Sequence, residues 1–231
     1  MARQPHYIEL TKGVQSWNQW RNNYPSIRPS LNGINLRGCN LAGINFKDTD
    51  LQGTDLREAN LTQANLNWAN LHKADLTQAN LSGANLSQAF LEKAILIAAN
   101  LREAWLIGSD FEKANLRDAD LSKTLAAKAN FKNAILTGVC LHDWSIDKFT
   151  NLNNVACDYV YFGENHQERR PIHYPQKFAL GEFSKYFKNA LEFQNQSINQ
   201  LFDYSAQLPY LQLPNQNQIQ KVKSFESMRN W

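Results

Sequence analysis

Five histidines, three cysteines and a scatter of carboxylates are the side chains of this 231-residue chain that could do chemistry. A zinc site would need Cys or His in closely spaced pairs. His6, His72, His142, His166 and His173, with Cys39, Cys140 and Cys157, supply none; His166 and His173 stand seven apart in a polar connector. Thiols that are odd in number and widely spread make no disulfide framework. Cys39 and Cys157 read as packed thiols suited to a reducing compartment, so a cytoplasmic location is expected. The sequence holds no nucleophile elbow, phosphate loop or dinucleotide fingerprint. No catalytic, cofactor-binding or metal-ligating residue is therefore expected, and the chain is not expected to be an enzyme. The carboxylates Asp50, Asp55, Asp75 and Asp120 all fall at one phase of a regular pattern, which explains them without catalysis.

That pattern has a period of five. From Leu31 to Ile146 every fifth residue is a bulky aliphatic or Phe, apart from Ala126. On an α-helix five residues advance about 500°, so such leucines never form one stripe. On a strand an odd period sends successive leucines to opposite faces. A chain that turns a quarter circle every five residues puts all of them inside, in coils of 20 residues stacked as a solenoid. Two residues before each centre the chain is small: Ala at nearly every position from Ala59 to Ala134, with Ser109 and Thr124 the exceptions. These are read as a second inward position in a narrow tube. Just before the centre stands Asn or Asp at 16 of the 20 positions from Asn35 to Asn130, residues that bond nearby backbone in turns. The two positions after the centre are mixed and read as outer surface. About six coils at roughly 4.8 Å each give a column on the order of 29 Å long.

The tract ANLTQANLNWANLHKADLTQANLSGANLSQAFLEKA resembles the A-(D/N)-L-x-x signature of the pentapeptide-repeat family. The resemblance implies an all-β fold, a right-handed quadrilateral parallel β-helix, over residues 29–163. Acyltransferase helices of period six are a poor analogy for a period of five. The flanks resemble those of cyanobacterial members. Function is not implied by the fold.

The frame shifts by one residue after Ile146, moving the next centres to Leu152, Cys157 and Phe162, as a bulge or loosened corner would. At Ala126 the centre is small while Leu125 occupies an outer phase, so Leu125 either stays outside or turns in to refill the gap. Residues 1–28 are read as a helical N-terminal cap, with Thr11 as a possible N-cap and Val14, Trp17, Trp20 and Arg21 at helical spacing. Trp17 is the candidate capping residue. Residues 164–231 are read as a connector, an amphipathic helix from about Leu180 to Phe202, and a Gln/Asn-rich tail that is partly disordered or docks weakly. Phe183, Phe187 and Leu191 are the candidate capping residues there, with dimerisation through this segment as the alternative to capping. The start of the chain lacks a secretory signal pattern, and no apolar run is long enough to span a membrane.

Departures from the repeat are where function is sought. Phe90, Ile95, Trp105 and Leu125 replace Asn or Asp, and Trp68, Ile97 and Ile107 replace polar surface residues. Since residues 20 apart share a side, Trp68, Trp105, Ile107 and Leu125 gather on one side as the candidate partner-binding set. A C-terminal segment folds back over this side, another protein binds there, or the side has no role. Two function classes follow: a non-enzymatic protein-binding or scaffold module with an unidentified partner, and a duplex-DNA mimic like family members that protect DNA gyrase. Residues 29–163 carry 12 bases and 14 acids, too nearly neutral for mimicry. Residues 164–231 carry eight bases and six acids, too few for a nucleic-acid arm.

Overall fold

The computed structural model describes residues 5–172, 175–179 and 181–193. From Ser30 onward, residues 20 apart pair as single parallel bridges in four ladders, beginning at Ser30, Asn35, Asn40 and Asn45. These define sides one to four of a four-sided coil. Each repeat contributes one bridging residue and one turn in place of a regular strand. Within a repeat the residue after the turn donates to the centre, as Ala79 N does to Leu76 O at 2.9 Å. The residue two after each centre, from Gly33 to Asp143, has φ between 53° and 80°. A left-handed third residue makes each corner a type II turn, which glycine fills most easily. Trp68, Lys93 and Lys113 hold the same conformation without being glycine, at a local cost of about 1–2 kcal/mol each.

The centres fill the lumen, and Leu51 to Leu121 are fully buried with the alanines two residues before them. The Asn/Asp positions have a specific task. The N–H one residue after each centre has no partner in the neighbouring coil. At all 16 of those positions the side-chain oxygen accepts this N–H, as Asn80 does from Ser82 at 3.1 Å. Some of these side chains also bond each other between coils, as Asn60 Nδ2 does to Asn40 Oδ1 and Asn70 Nδ2 to Asp50 Oδ1.

The frame shift appears as a change of bridge spacing, from Leu125↔Ser145 to Asn130↔Asn151. Asp147 holds the extra residue in place. Its Oδ1 accepts the Lys128 N–H at 2.9 Å, taking the part a backbone carbonyl plays at other corners, while its own N–H bonds Thr150 Oγ1.

Before the coil lie α1 (Pro5–Leu10) and α2 (Val14–Asn23). Thr11 is not the N-cap of α2: it follows α1 and its hydroxyl donates to Ile8 O at 2.7 Å. Gly13 precedes α2 at φ 99°, a reversal that a threonine would resist. After the coil, β1 (Val160–Gly163) pairs antiparallel with β2 (Gln167–Arg170). Then α3 runs from Glu182 to Phe193. Ile198, Leu201, Phe202 and the Gln/Asn-rich tail lie outside the described residues, as does the side chain of Leu191. The β1–β2 hairpin crosses the boundary expected at residue 163, since Tyr161 also bridges Cys140 of the preceding coil. Among the described residues no helix is long and apolar enough to cross a membrane.

Candidate functional site

At the N-terminal end the first coil has no preceding coil to pair with, and α2 side chains take some of its polar groups. Trp17 Nε1 donates to Asn45 O at 2.8 Å, Asn18 Oδ1 accepts the Asn45 N–H at 2.8 Å, and Arg21 donates to Lys47 O at 2.8 Å. Trp17 is fully buried, edge-on to Phe46 with ring centroids 5.6 Å apart. At the other end, Phe183 is buried, and Phe187 meets both Trp144 (5.5 Å) and Phe162 (6.1 Å). Ser184 Oγ donates to Leu152 O, and Lys188 Nζ reaches Asn153 Oδ1 at 3.1 Å. α3 thus touches residues from three sides of the last coil.

Leu125 stays on the outside, half-buried, while Ala126 points into the lumen. The inward space at that level is occupied by Phe131, stacked on Phe111 at 5.0 Å and met edge-on by Trp144 at 5.7 Å. Phe111, Phe131 and Trp144 thus pack ring against ring in this part of the core.

Of the candidate binding residues, Trp105 and Leu125 are bridge partners on side four, with half-buried Ile107 two residues beyond Trp105. Trp68 sits at the corner between sides four and one, where its ring lies 6.3 Å from Phe90 on side one. Gln88 and Gly108 occupy the same corner between the two groups. Phe90 therefore joins the set, a residue that sequence spacing alone assigned to a different side. Trp105 is 52% exposed, Trp68 43% and Phe90 42%. Ile95, 37% exposed, bridges Asp75 and Asn115 on side two.

These replacements cost the fold something. Phe90, Ile95, Trp105 and Leu125 carry no oxygen, so the N–H groups of Glu92, Ile97, Ile107 and Ala127 lose the acceptor that the 16 other repeats supply. A hydrogen bond of this kind contributes about 0.5–1.5 kcal/mol. The column alone would be better served by Asn.

The charged residues around the coil are largely cross-paired. Arg57 binds Asp55 at 2.7 Å and approaches Asp75 at 3.7 Å; Arg102 pairs with Asp120, Lys93 with Glu92, and Lys113 and Lys132 with Glu112. The hydrogen bond from Arg57 holds the Asp55 carboxyl down at about 2. That lies below the ordinary carboxylate value of about 3.9, so the pair stabilises the fold above about pH 4 and the contribution fades as pH falls toward 2. Asp55→Asn is expected to flatten the fall in stability between about pH 4 and 2. Denaturant unfolding at stepped pH checks this, and superimposable profiles for the two proteins would refute it.

Chemistry is sparse elsewhere. Cys39 is half-buried, Cys140 and Cys157 are buried, and all three are free. Burial pushes the Cys157 thiol up, away from the reactive thiolate. Among the described residues no group of three His, Cys, Asp or Glu side chains is placed to hold a metal ion.

A family model described as pentapeptide repeats matches eight copies, over residues 30–67, 39–78, 74–112 and 114–143. The chain is 31% identical to the pentapeptide-repeat protein Rfr23 from the cyanobacterium Cyanothece 51142, over 63% of this chain and 97% of that one, with a TM-score of 0.29. It is 35% identical to alr5209 from Nostoc PCC 7120, over 41% and 74% of the two chains, with a TM-score of 0.21. Against HetL, a pentapeptide-repeat protein involved in heterocyst differentiation regulation from Nostoc sp. strain PCC 7120, identity is 26% over 62% of this chain and 66% of that one, with a TM-score of 0.39. No curated protein matches. No enzymatic family is indicated, and the chain belongs to the pentapeptide-repeat family.

Proposed function

We propose that this chain is a non-enzymatic, cytoplasmic protein-binding module, a right-handed β-helix that presents the Trp105, Ile107 and Leu125 side and the adjoining Trp68–Phe90 corner to another protein. The observation that carries this reading is Trp105. It is half exposed, it stands where the repeat calls for Asn, and it forfeits a hydrogen bond that the fold would otherwise make. Large rigid aromatics on an otherwise polar surface are the residues that anchor protein interfaces. Trp17 at one end, and Phe183 and Phe187 at the other, serve in this reading to end the column, so that its strand edges do not pair with other chains. Free buried thiols suit a reducing compartment. The cross-paired acids and bases, 14 and 12 over residues 29–163, speak against a DNA mimic.

Trp105→Asn separates binding from folding. Asn restores an acceptor for the Ile107 N–H, so the variant is expected to melt no lower than the parent. Its partner affinity is expected to fall about tenfold or more, the equivalent of about 1.4 kcal/mol. Ile95→Asn on side two, which makes the same repair, is expected to leave affinity unchanged. Affinity capture followed by titration with the captured protein checks both. Equal binding by parent and Trp105→Asn would end this reading.

A further inference from the structure

We propose that side four recognises an acidic segment of its partner. A carboxylate of that segment accepts the backbone N–H groups of Ile107 and Ala127, with Lys128 and Lys148 on the adjoining corner, and an apolar side chain beside it meets Trp105. This rests on reading that side as a binding surface and names the chemistry of what binds there.

The first support is a pair of donors. In the repeats with Asn or Asp before the centre, the outward side chain accepts the N–H two residues on, so that N–H faces outward. Trp105 and Leu125 offer no oxygen, and among the described residues nothing else accepts from Ile107 N or Ala127 N. The two donors stand on consecutive coils, since Trp105 and Leu125 are bridge partners, and so lie roughly 4.8 Å apart. Their neighbours along the same line are satisfied: Ser87 N–H by Asn85, and Asp147 N–H by Thr150. The single donors left at Glu92 and Ile97 have Asn or Asp repeats on both sides. A carboxylate only accepts, has two oxygens, and bonds backbone N–H groups more strongly than a neutral acceptor does.

The second support is charge. The corner between sides four and one continues from Gln88 and Gly108 to Lys128, and ends at Lys148 in the inserted loop. Both lysines are exposed, and among the described residues neither has a carboxylate partner. Around side one, by contrast, Lys93 pairs with Glu92, and Lys113 and Lys132 with Glu112. The acid of the loop, Asp147, uses Oδ1 on the N–H groups of Lys128 and Phe149. Those bonds fix the loop with Phe149 63% exposed and Lys148 Nζ 5.1 Å from its ring centre. Closing the coil needs neither outward side chain. Glu103, exposed at the other corner of side four, repels a carboxylate and sets its place toward the lysines. Nucleic acid also brings anions, but its phosphates repeat along the strand, and two lysines answer few of them.

The probe is a pool of random short peptides displayed on phage, selected on the intact chain and then titrated as free peptides. Enriched peptides are expected to pair Asp or Glu with an aromatic or aliphatic residue. Changing that acid to its amide, or the protein at Lys128→Gln with Lys148→Gln, should each weaken binding about tenfold. Leu125 separates the backbone donor from the apolar contact. Leu125→Ala leaves the Ala127 N–H open, whereas Leu125→Asn gives it an internal acceptor. Asn is therefore expected to bind acidic peptides about fivefold more weakly than Ala does. Equal affinity of those two variants, enrichment of uncharged or basic peptides, displacement by oligothymidine, or no enrichment would each overturn the proposal. Peptides that need Trp105 but ignore the lysines would overturn it while leaving the protein-binding reading intact. Peptides indifferent to Trp105→Ala would overturn both.

Discussion

Leu81→Ala is expected to lower the free energy of unfolding by about 2–5 kcal/mol. Leu81 is fully buried in a column with Leu61 and Leu101. Deleting a buried side chain costs its transfer energy plus the cavity it leaves, and the cavity term is largest where the surroundings cannot close in. Here they are held. Leu81 N donates to Asn100 O at 2.7 Å, Leu61 N to Asn80 O at 2.7 Å, and Asn80 N to Ala59 O at 2.9 Å, so the coils above and below are pinned at fixed spacing. The converse change, Ala79→Leu, adds volume at the second inward position and is expected to cost about 1–3 kcal/mol through overpacking. Denaturant unfolding of both variants checks the pair. If both match the parent, these positions do not face a closed lumen.

The column was legible because one physical demand repeats: an inward residue every fifth position admits no helix or strand, so the coil followed from Leu31 to Ile146 alone. The single inserted residue after Ile146 was equally plain. What the period could not reveal is how that insertion is stabilised, because the answer is one carboxylate, Asp147, replacing a backbone acceptor. The β1–β2 hairpin was hidden because its strands have four residues each, too few for an alternation to register. The alternatives at Leu125 were undecidable from local sequence, since the side chains that fill the lumen beside Ala126 include Trp144, 18 residues further on. The candidate binding side was half legible. The 20-residue rule placed Trp105 and Leu125 together, but it treats each side as flat. Trp68 stands at a left-handed corner, and its ring leans onto Phe90 around that corner. Side-chain reach across corners is not encoded in spacing.

Trp17→Ala is expected to destabilise the protein by about 3–5 kcal/mol and to make it self-associate. The argument is about an edge. A β-helix that simply stops exposes a row of unpaired backbone groups, and Asn45 and Lys47 are such groups on side four. Trp17 covers part of this edge in two ways. Its ring packs on Phe46, closing the apolar lumen, and its indole N–H supplies the donor that the absent coil would have provided to Asn45 O. Trp17→Phe separates the two contributions. A phenyl ring retains much of the apolar contact but cannot donate, leaving the Asn45 carbonyl unsatisfied at a cost of about 1–3 kcal/mol. Phe is therefore expected to fall between Trp and Ala in stability, and to remain monomeric because the lumen stays covered. Thermal unfolding with sedimentation velocity on the three proteins checks the order. If Trp17→Ala were monomeric and melted with the parent, the first coil would have to be closed by α1 or by Arg21 and Asn18 alone, and the indole would be a passenger on the surface it covers.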